Sequence, residues 1–306
     1  MNYFPIRAMQ TDHPDEGGLR ISVLSAIRNT PIENATIDIT YTGDPSSVID
    51  ELKTDANGLT EEILLPAPPL EYSMEPSEYQ PYAEYTFHIE AEGFEPVDIS
   101  GAEILPEVTA LQTARLQAQT PENTFQSIVI PAHTLFGTYP EKIPEDEIKP
   151  MDESGEIVLS RVVVPEFIVV HDGAPTDPTA QNYYVRYRDY IKNVASSEIY
   201  ATWPTETIRA NVLAIMSFTL NRVYTEWYRN KGYDFTITSS TAFDHKWING
   251  RNIFDSISQV VDELFADYLS RPGVRQPILT QYCDGQRVTC PNWMTKLQQH
   301  TNTYFQ

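Results

Sequence analysis

Glu198 stands where two helical patterns meet. Before it, Val185, Tyr190, Ile191 and Val194 recur at helical spacing; after it, Ala201-Thr202-Trp203-Pro204 breaks the pattern, because the residue before a proline avoids the α region. A carboxyl at such a break, with Tyr200 and Trp203 beside it, suits general acid catalysis if apolar surroundings lift its titration from about 4.3 toward neutrality. No second carboxyl lies three or four positions away on either side. The same spacing equally suits a carboxylate that caps or salt-bridges a helix end.

A second constellation is Thr238-Ser239-Ser240-Thr241-Ala242-Phe243-Asp244-His245-Lys246-Trp247, polar and aromatic after a strand-like run. Loops of this kind hydrogen-bond a polar ligand and stack on its faces, which makes Ser239, Ser240, Asp244 and His245 candidate contacts together with Trp203. Taken alone, His245 reads as well as a surface or core histidine. The last feature is Tyr282-Cys283-Asp284-Gly285 with Cys290. Tyr282 and Asp284 are candidate ligand contacts, although Asp-Gly is also ordinary turn chemistry. Cys283 and Cys290 would close a short loop as a disulfide in an oxidising compartment, worth roughly 2.5 kcal/mol, or remain free thiols in cytosol.

These residues need a scaffold. A short helix is expected to end near Glu198, and a long one to carry Ile208, Val212, Ile215, Met216, Thr219, Val223 and Trp227 as far as Gly232, with Thr205 and Glu206 capping its start. A third helix is expected over Ile253, Phe254, Ile257, Val260, Val261, Leu264, Phe265 and Leu269, with Tyr233–Thr238 strand-like. Upstream, Leu19–Leu24, Ala35–Tyr41 and Tyr85–Ala91 alternate like strands with one buried face, and Asp55-Ala56-Asn57-Gly58 turns the chain into Leu59–Pro66. About seven strands imply a small β-sandwich. Between the halves, eight prolines from Pro121 to Pro178 exclude long helices, while Ser127–Ile130 and Phe167–His171 are apolar enough to lie as ordered extended chain.

The chain has 306 residues and a formal charge of −22, which disfavours nucleic acid and anionic lipid as main partners. Through Val170 there are 8 basic and 30 acidic residues; beyond it there are 13 of each, so the second half is free to approach an anionic substrate. Two cysteines are too few for a disulfide scaffold or a four-cysteine zinc site. No apolar run is long enough to span a membrane, and the start lacks a recognisable signal peptide.

Pro31-Ile32, Ala35, Ile37, Ile39, Thr54-Asp55, Asn57-Gly58 and Glu92-Gly93-Phe94 together resemble carboxypeptidase-regulatory-like or transthyretin-like sandwiches, modules that usually serve as adaptors. Tyr190, Val194, Glu198, Trp203-Pro204, Glu206 and Ala210, at their spacing, resemble the signature of the stage II sporulation protein D (SpoIID/LytB) family over about residues 183–295. That family contains lytic transglycosylases that cut peptidoglycan glycan strands, and the glutamate before Trp-Pro is its catalytic residue. The resemblance implies that Glu198 protonates the glycosidic oxygen and that the sugar's own C6 hydroxyl replaces water as nucleophile. Some family members hold zinc with two cysteines and a histidine. This chain keeps His245 but has Ser240 and Lys246 where the cysteines align, so no metal and no cofactor is expected. An acidic sandwich ahead of the domain is also similar to spore cortex-lytic enzymes of the SleC type. Downstream, Trp293-Met294-Thr295-Lys296-Leu297-Gln298-Gln299-His300 departs from the family pattern and suggests a C-terminally truncated copy.

The expected architecture is multi-domain α+β: an extension over 1–16, a β-sandwich over 17–118, a proline-rich strap over 119–182 and a mainly helical SpoIID-like domain with a small sheet over 183–306. The expected activity is that of a lytic transglycosylase acting on glycan strands in the cell envelope or in the spore cortex or coat. Two other readings stay open: a non-catalytic wall-binding or phage-like particle protein, and a latent proenzyme whose sandwich meets an activating protease or partner.

Overall fold

The computed structural model describes residues 14–74, 79–122, 125–133, 135, 159–283 and 294–295, with 282–283 and 294–295 described by backbone alone. In chain order the elements begin with β1 (Asp15–Ser25), β2 (Thr36–Tyr41), β3 (Val48–Lys53), β4 (Ile63–Ala67), the short helix α1 (Glu71–Met74), β5 (Ala83–Glu90), β6 (Val97–Ile104), β7 (Thr109–Leu116) and β8 (Gln126–Val129). There follow β9 (Phe167–His171), β10 (Asn182–Arg186), α2 (Tyr187–Glu198), α3 (Thr205–Tyr224) and β11 (Ile237–Thr238). The chain then forms β12 (Ile253–Phe254), α4 (Asp255–Leu264), β13 (Tyr282–Cys283) and β14 (Met294–Thr295). It divides into two compact units. The first is Met1–Ala132 with Tyr200–Thr202 and Asn249–Ser256; the second is His133–Ile199, Trp203–Ile248 and Ile257–Gln306.

The first unit holds a five-stranded sheet, β3-β2-β5-β6-β8, and a four-stranded sheet, β12-β7-β1-β4. Alternation in the sequence decides which side chains turn inward: Ile21 and Val23 on β1, Ile37 and Ile39 on β2, Tyr85, Phe87 and Ile89 on β5, and Ile99 on β6 are fully buried. Each such side chain contributes roughly 1.5–3 kcal/mol relative to exposure. The turn before β4 forms as its residues dictate. The Asp55 carboxylate accepts the amides of Asn57 and Leu59, and Gly58 takes φ +71°, where a Cβ would meet the Val23 carbonyl at 2.6 Å.

The Asn249–Ser256 segment completes this unit. Its β12 pairs antiparallel with β7, Ile253 opposite Leu111 and Phe254 opposite Ala110. The Asn252 side chain accepts the Glu103 amide (3.0 Å) and donates to the Glu103 carbonyl (2.9 Å), copying the bonds of a neighbouring strand. Arg251 forms a bidentate ion pair with Glu103 in which both side chains are fully buried.

In the second unit β9 lies between antiparallel β10 and parallel β11. The run Phe167–His171 is thus a sheet strand. Tyr187, Tyr190, Ile191 and Val194 of α2, and Ile208, Val212, Ile215 and Phe218 of α3, are buried. The chain leaves α2 at Ile199 in extended conformation, ahead of the Trp203-Pro204 step.

Four details differ from the sequence expectation. The second unit is not mainly helical: its helices share the unit with the three-stranded sheet and long irregular stretches. Ile253 and Phe254 continue a helical period yet pair with β7, so the third helix starts only at Asp255. The long helix stops at Tyr224, because Glu226 takes φ +47°, and Gly232 ends a following 3-10 turn at φ +85°. Pro204 occupies the N-cap of α3 with no side-chain cap bond, so Thr205 is the first helical residue rather than the cap. Among the described residues no helix is long and apolar enough to cross a membrane.

Candidate functional site

The two constellations, 40 or more positions apart in sequence, meet on α2. Tyr190, Asn193 and Glu198 lie along one broad side of that helix. The loop after β11 runs along them, each contact within the second unit. Tyr190 Oη and His245 Nδ1 share a hydrogen bond of 3.2 Å. The Lys246 amide donates to Glu198 Oε1 at 2.7 Å. Asn193 clamps Ile248, donating to its carbonyl at 2.7 Å and accepting its amide at 3.0 Å.

A buried ion pair anchors the start of this loop. Asp244 Oδ1 accepts Arg222 Nε of α3 at 2.7 Å, and Oδ2 accepts Tyr228 Oη (2.6 Å), the Thr238 amide (2.9 Å) and the Thr238 hydroxyl (2.7 Å). Burial would raise the Asp244 carboxyl; the Arg222 guanidinium and the Tyr228 and Thr238 donors outweigh it and hold the group below the ordinary carboxylate value. Tyr190 titrates far above the usual phenol range, first through burial and then through the charges of Asp244 and Glu198, with Arg222 opposing. Its hydroxyl stays protonated and able to bond His245.

Glu198 closes α2 and keeps 6 % of its surface exposed. Its contact with the Lys246 backbone amide helps to fix the orientation of the carboxyl. The arrangement gives one oriented carboxyl at a helix end beside a loop pinned at three successive points.

The other expected site residues are distributed unevenly. Asp244 and His245 are interior: Asp244 is tied to Arg222, Tyr228 and Thr238, and His245 lies against the Phe218 ring at 4.4 Å. They hold the loop in place instead of presenting polar groups to a ligand. Trp203 is buried as well. Ser239 and Ser240 are half-buried, with the Ser239 amide bonded to the His171 carbonyl and the Ser240 carbonyl accepting the Asp244 amide. Tyr282 and Cys283 belong to β13, which pairs parallel with β14; nothing of their side chains falls within the described residues, and Asp284 and Cys290 lie outside them. Among the described residues no group of three His, Cys, Asp or Glu is placed to hold a metal ion.

Sequence reasoning passed over Asn193, Arg222 and Tyr228. Arg222 had a usable signal, a cation inside the otherwise apolar register of α3. Asn193 had a weaker one, a polar residue between the buried Ile191 and Val194.

No protein-family model and no curated protein matches the chain. Among solved structures, hydroxyquinol 1,2-dioxygenase from Pseudomonas putida DLL-E4 is similar at 15 % identity and TM-score 0.26, over 36 % of this chain and 58 % of that one. The minor pilin GBS52 of Streptococcus agalactiae is similar at 12 % identity and TM-score 0.24, over 35 % and 47 %. The Bacillus anthracis TIE protein is similar at 14 % identity and TM-score 0.24, over 34 % and 17 %. The chain spans less than two thirds of each of these three proteins.

Proposed function

We propose that the second unit is a peptidoglycan lytic transglycosylase of the SpoIID type, working in the cell envelope or spore cortex with Glu198 as its acid and base. The observation that carries this reading is the Glu198 carboxyl at the end of α2, oriented by the Lys246 amide at 2.7 Å. In the first half-reaction Glu198 donates its proton to the glycosidic oxygen as the C1–O bond breaks. The C6 hydroxyl oxygen of the same muramyl sugar then bonds to C1, and its proton passes to the Glu198 carboxylate. Atoms balance without water, the product carries a 1,6-anhydro end, and the acid is regenerated. The Lys246 amide supports the carboxylate present between the two transfers.

The test is incubation of the purified chain with vegetative and cortex sacculi, followed by mass spectrometry of the soluble fraction. Anhydro-muropeptides support the reading; hydrated reducing ends alone, or no release, contradict it.

The second reading is a glycan-binding protein without turnover. The small exposure of Glu198 and its bond to a loop amide favour it, since both also describe a structural carboxylate. It predicts sedimentation with sacculi and no soluble fragments.

A further inference from the structure

His88 of β5 lies on the face of the five-stranded sheet opposite the buried Phe87 and Ile89, and there both of its ring nitrogens meet carboxylates. Nδ1 is 2.6 Å from Asp98 Oδ1 on β6, and Nε2 is 3.1 Å from Glu90 Oε1 two positions along β5. An ionised carboxylate only accepts, so each ring nitrogen has to donate. Neutral imidazole carries a single N–H and would turn a lone pair toward one of the two acids; the imidazolium satisfies both. All three side chains belong to the first unit.

The strand register extends this cluster into a row. His88 stands between Asp38 of β2 and Asp98 of β6; Glu51 of β3 is opposite Asp38, and Ser127 of β8 is opposite Asp98. In the next row Glu90 faces Thr36, which faces Lys53 of β3. On the other flank Thr86 shares hydrogen bonds with Thr42 and Ser100, none of which changes charge. Like charges placed opposite one another weaken a sheet, and of the row Glu51, Asp38, His88, Asp98 and Ser127 only His88 can carry a positive charge. It offsets the three carboxylates only while protonated. Burial alone would lower the His88 ring; the bonds to Asp98 and Glu90, and then their charges, outweigh it and raise the ring above its ordinary 6.5.

We propose that His88, Asp98 and Glu90 form a proton-operated brace across β5 and β6, which tightens the sandwich in mildly acidic surroundings and slackens it in alkaline ones. The folded ring holds its proton more firmly than the unfolded one. The contribution of the brace is therefore complete below about pH 6.5, is lost as pH rises through the higher folded value, and is flat beyond it. One proton sets the ceiling: the opening equilibrium changes by at most about tenfold per pH unit inside that window. The side chains of His88, Asp98 and Glu90 are 39, 33 and 65 % exposed, so salt screens the effect and weakens it. Neither the brace nor its test depends on the role of Glu198.

Nuclear magnetic resonance of the histidine rings against pH, on the full-length chain, tests the brace directly, with the His88 signal assigned by its loss in His88→Gln. The expected result is a ring that titrates above 6.5 and moves down in Asp98→Asn. Titration at or below 6.5, or no movement in Asp98→Asn, overturns the proposal. Amide hydrogen exchange gives a second arm, read at Phe87 of β5 with Leu220 of α3 as the reference. After correction for intrinsic exchange, Phe87 protection relative to Leu220 should fall more steeply in wild type than in His88→Gln across the pH range in which the ring titrates. Comparison with that variant cancels the slope from Glu84 on the same strand, whose carboxyl burial and then the charge of Glu103 push up to about 7. Equal slopes in the two proteins overturn the brace. Either result leaves the lytic reading where it stood, and absence of anhydro-muropeptides leaves the brace standing.

Discussion

The backbone amide of Lys246 donates to the carboxylate of Glu198 across 48 positions of sequence. The contact joins the end of a helix to the loop after β11, and it ties the orientation of the proposed acid to how firmly that loop is held. Side chains flanking it do the holding: Asn193 on Ile248, Tyr190 on His245, and the Arg222 ion pair on Asp244.

Asn193→Ala should release the loop without disturbing α3. It removes two buried hydrogen bonds and leaves the Ile248 amide and carbonyl to find other partners, a loss of about 1–3 kcal/mol. Urea unfolding should show a lower midpoint of that size, and any lytic activity should fall in kcat more than in KM. Unchanged stability would mean that the clamp carries no load.

Arg222→Met should be among the most damaging single changes in the second unit. It strands the buried Asp244 carboxylate, at a loss of about 3–5 kcal/mol. Asp244 titrates below its ordinary value, so its contribution is present above about pH 3.8 and is lost as pH falls through the lower folded value. Acid denaturation followed by circular dichroism should show a shallower acid limb in Asp244→Asn than in wild type. Identical limbs would remove Asp244 from the account.

Much of this scaffold was legible in the sequence, and the exceptions have physical causes. Ile21, Val23, Ile37, Ile39, Phe87 and Ile89 announce their strands because a half-buried sheet leaves a period of two. The end of α2 at Glu198 followed from Trp203-Pro204. By contrast, Ile253 and Phe254 fit the period of the helix behind them, and only the exposed edge of β7, far away in sequence, makes them a strand. Asp244 and His245 looked like ligand contacts because a polar loop shows its chemistry but not its facing. Arg222, Tyr228 and Phe218 turn both of them inward.

Deleting residues 1–120 should not activate the protein. Tyr200–Thr202 and Asn249–Ser256 fold with the sandwich, and without it Arg251 and the fully buried Phe254 lose their partners. The truncated chain is expected to lose cooperative unfolding by near-ultraviolet circular dichroism and to release less from sacculi than the full chain. Equal or higher release from a truncated chain that still unfolds cooperatively would restore the proenzyme reading.

The most direct measurement is the initial rate at which wild type and Glu198→Gln release anhydro-muropeptides from sacculi, with both proteins shown to unfold at similar temperature. A single acid–base carboxyl predicts a drop of about 10²–10⁴-fold in the variant. Equal release by both proteins, or no anhydro product from wild type, would contradict the assignment of Glu198.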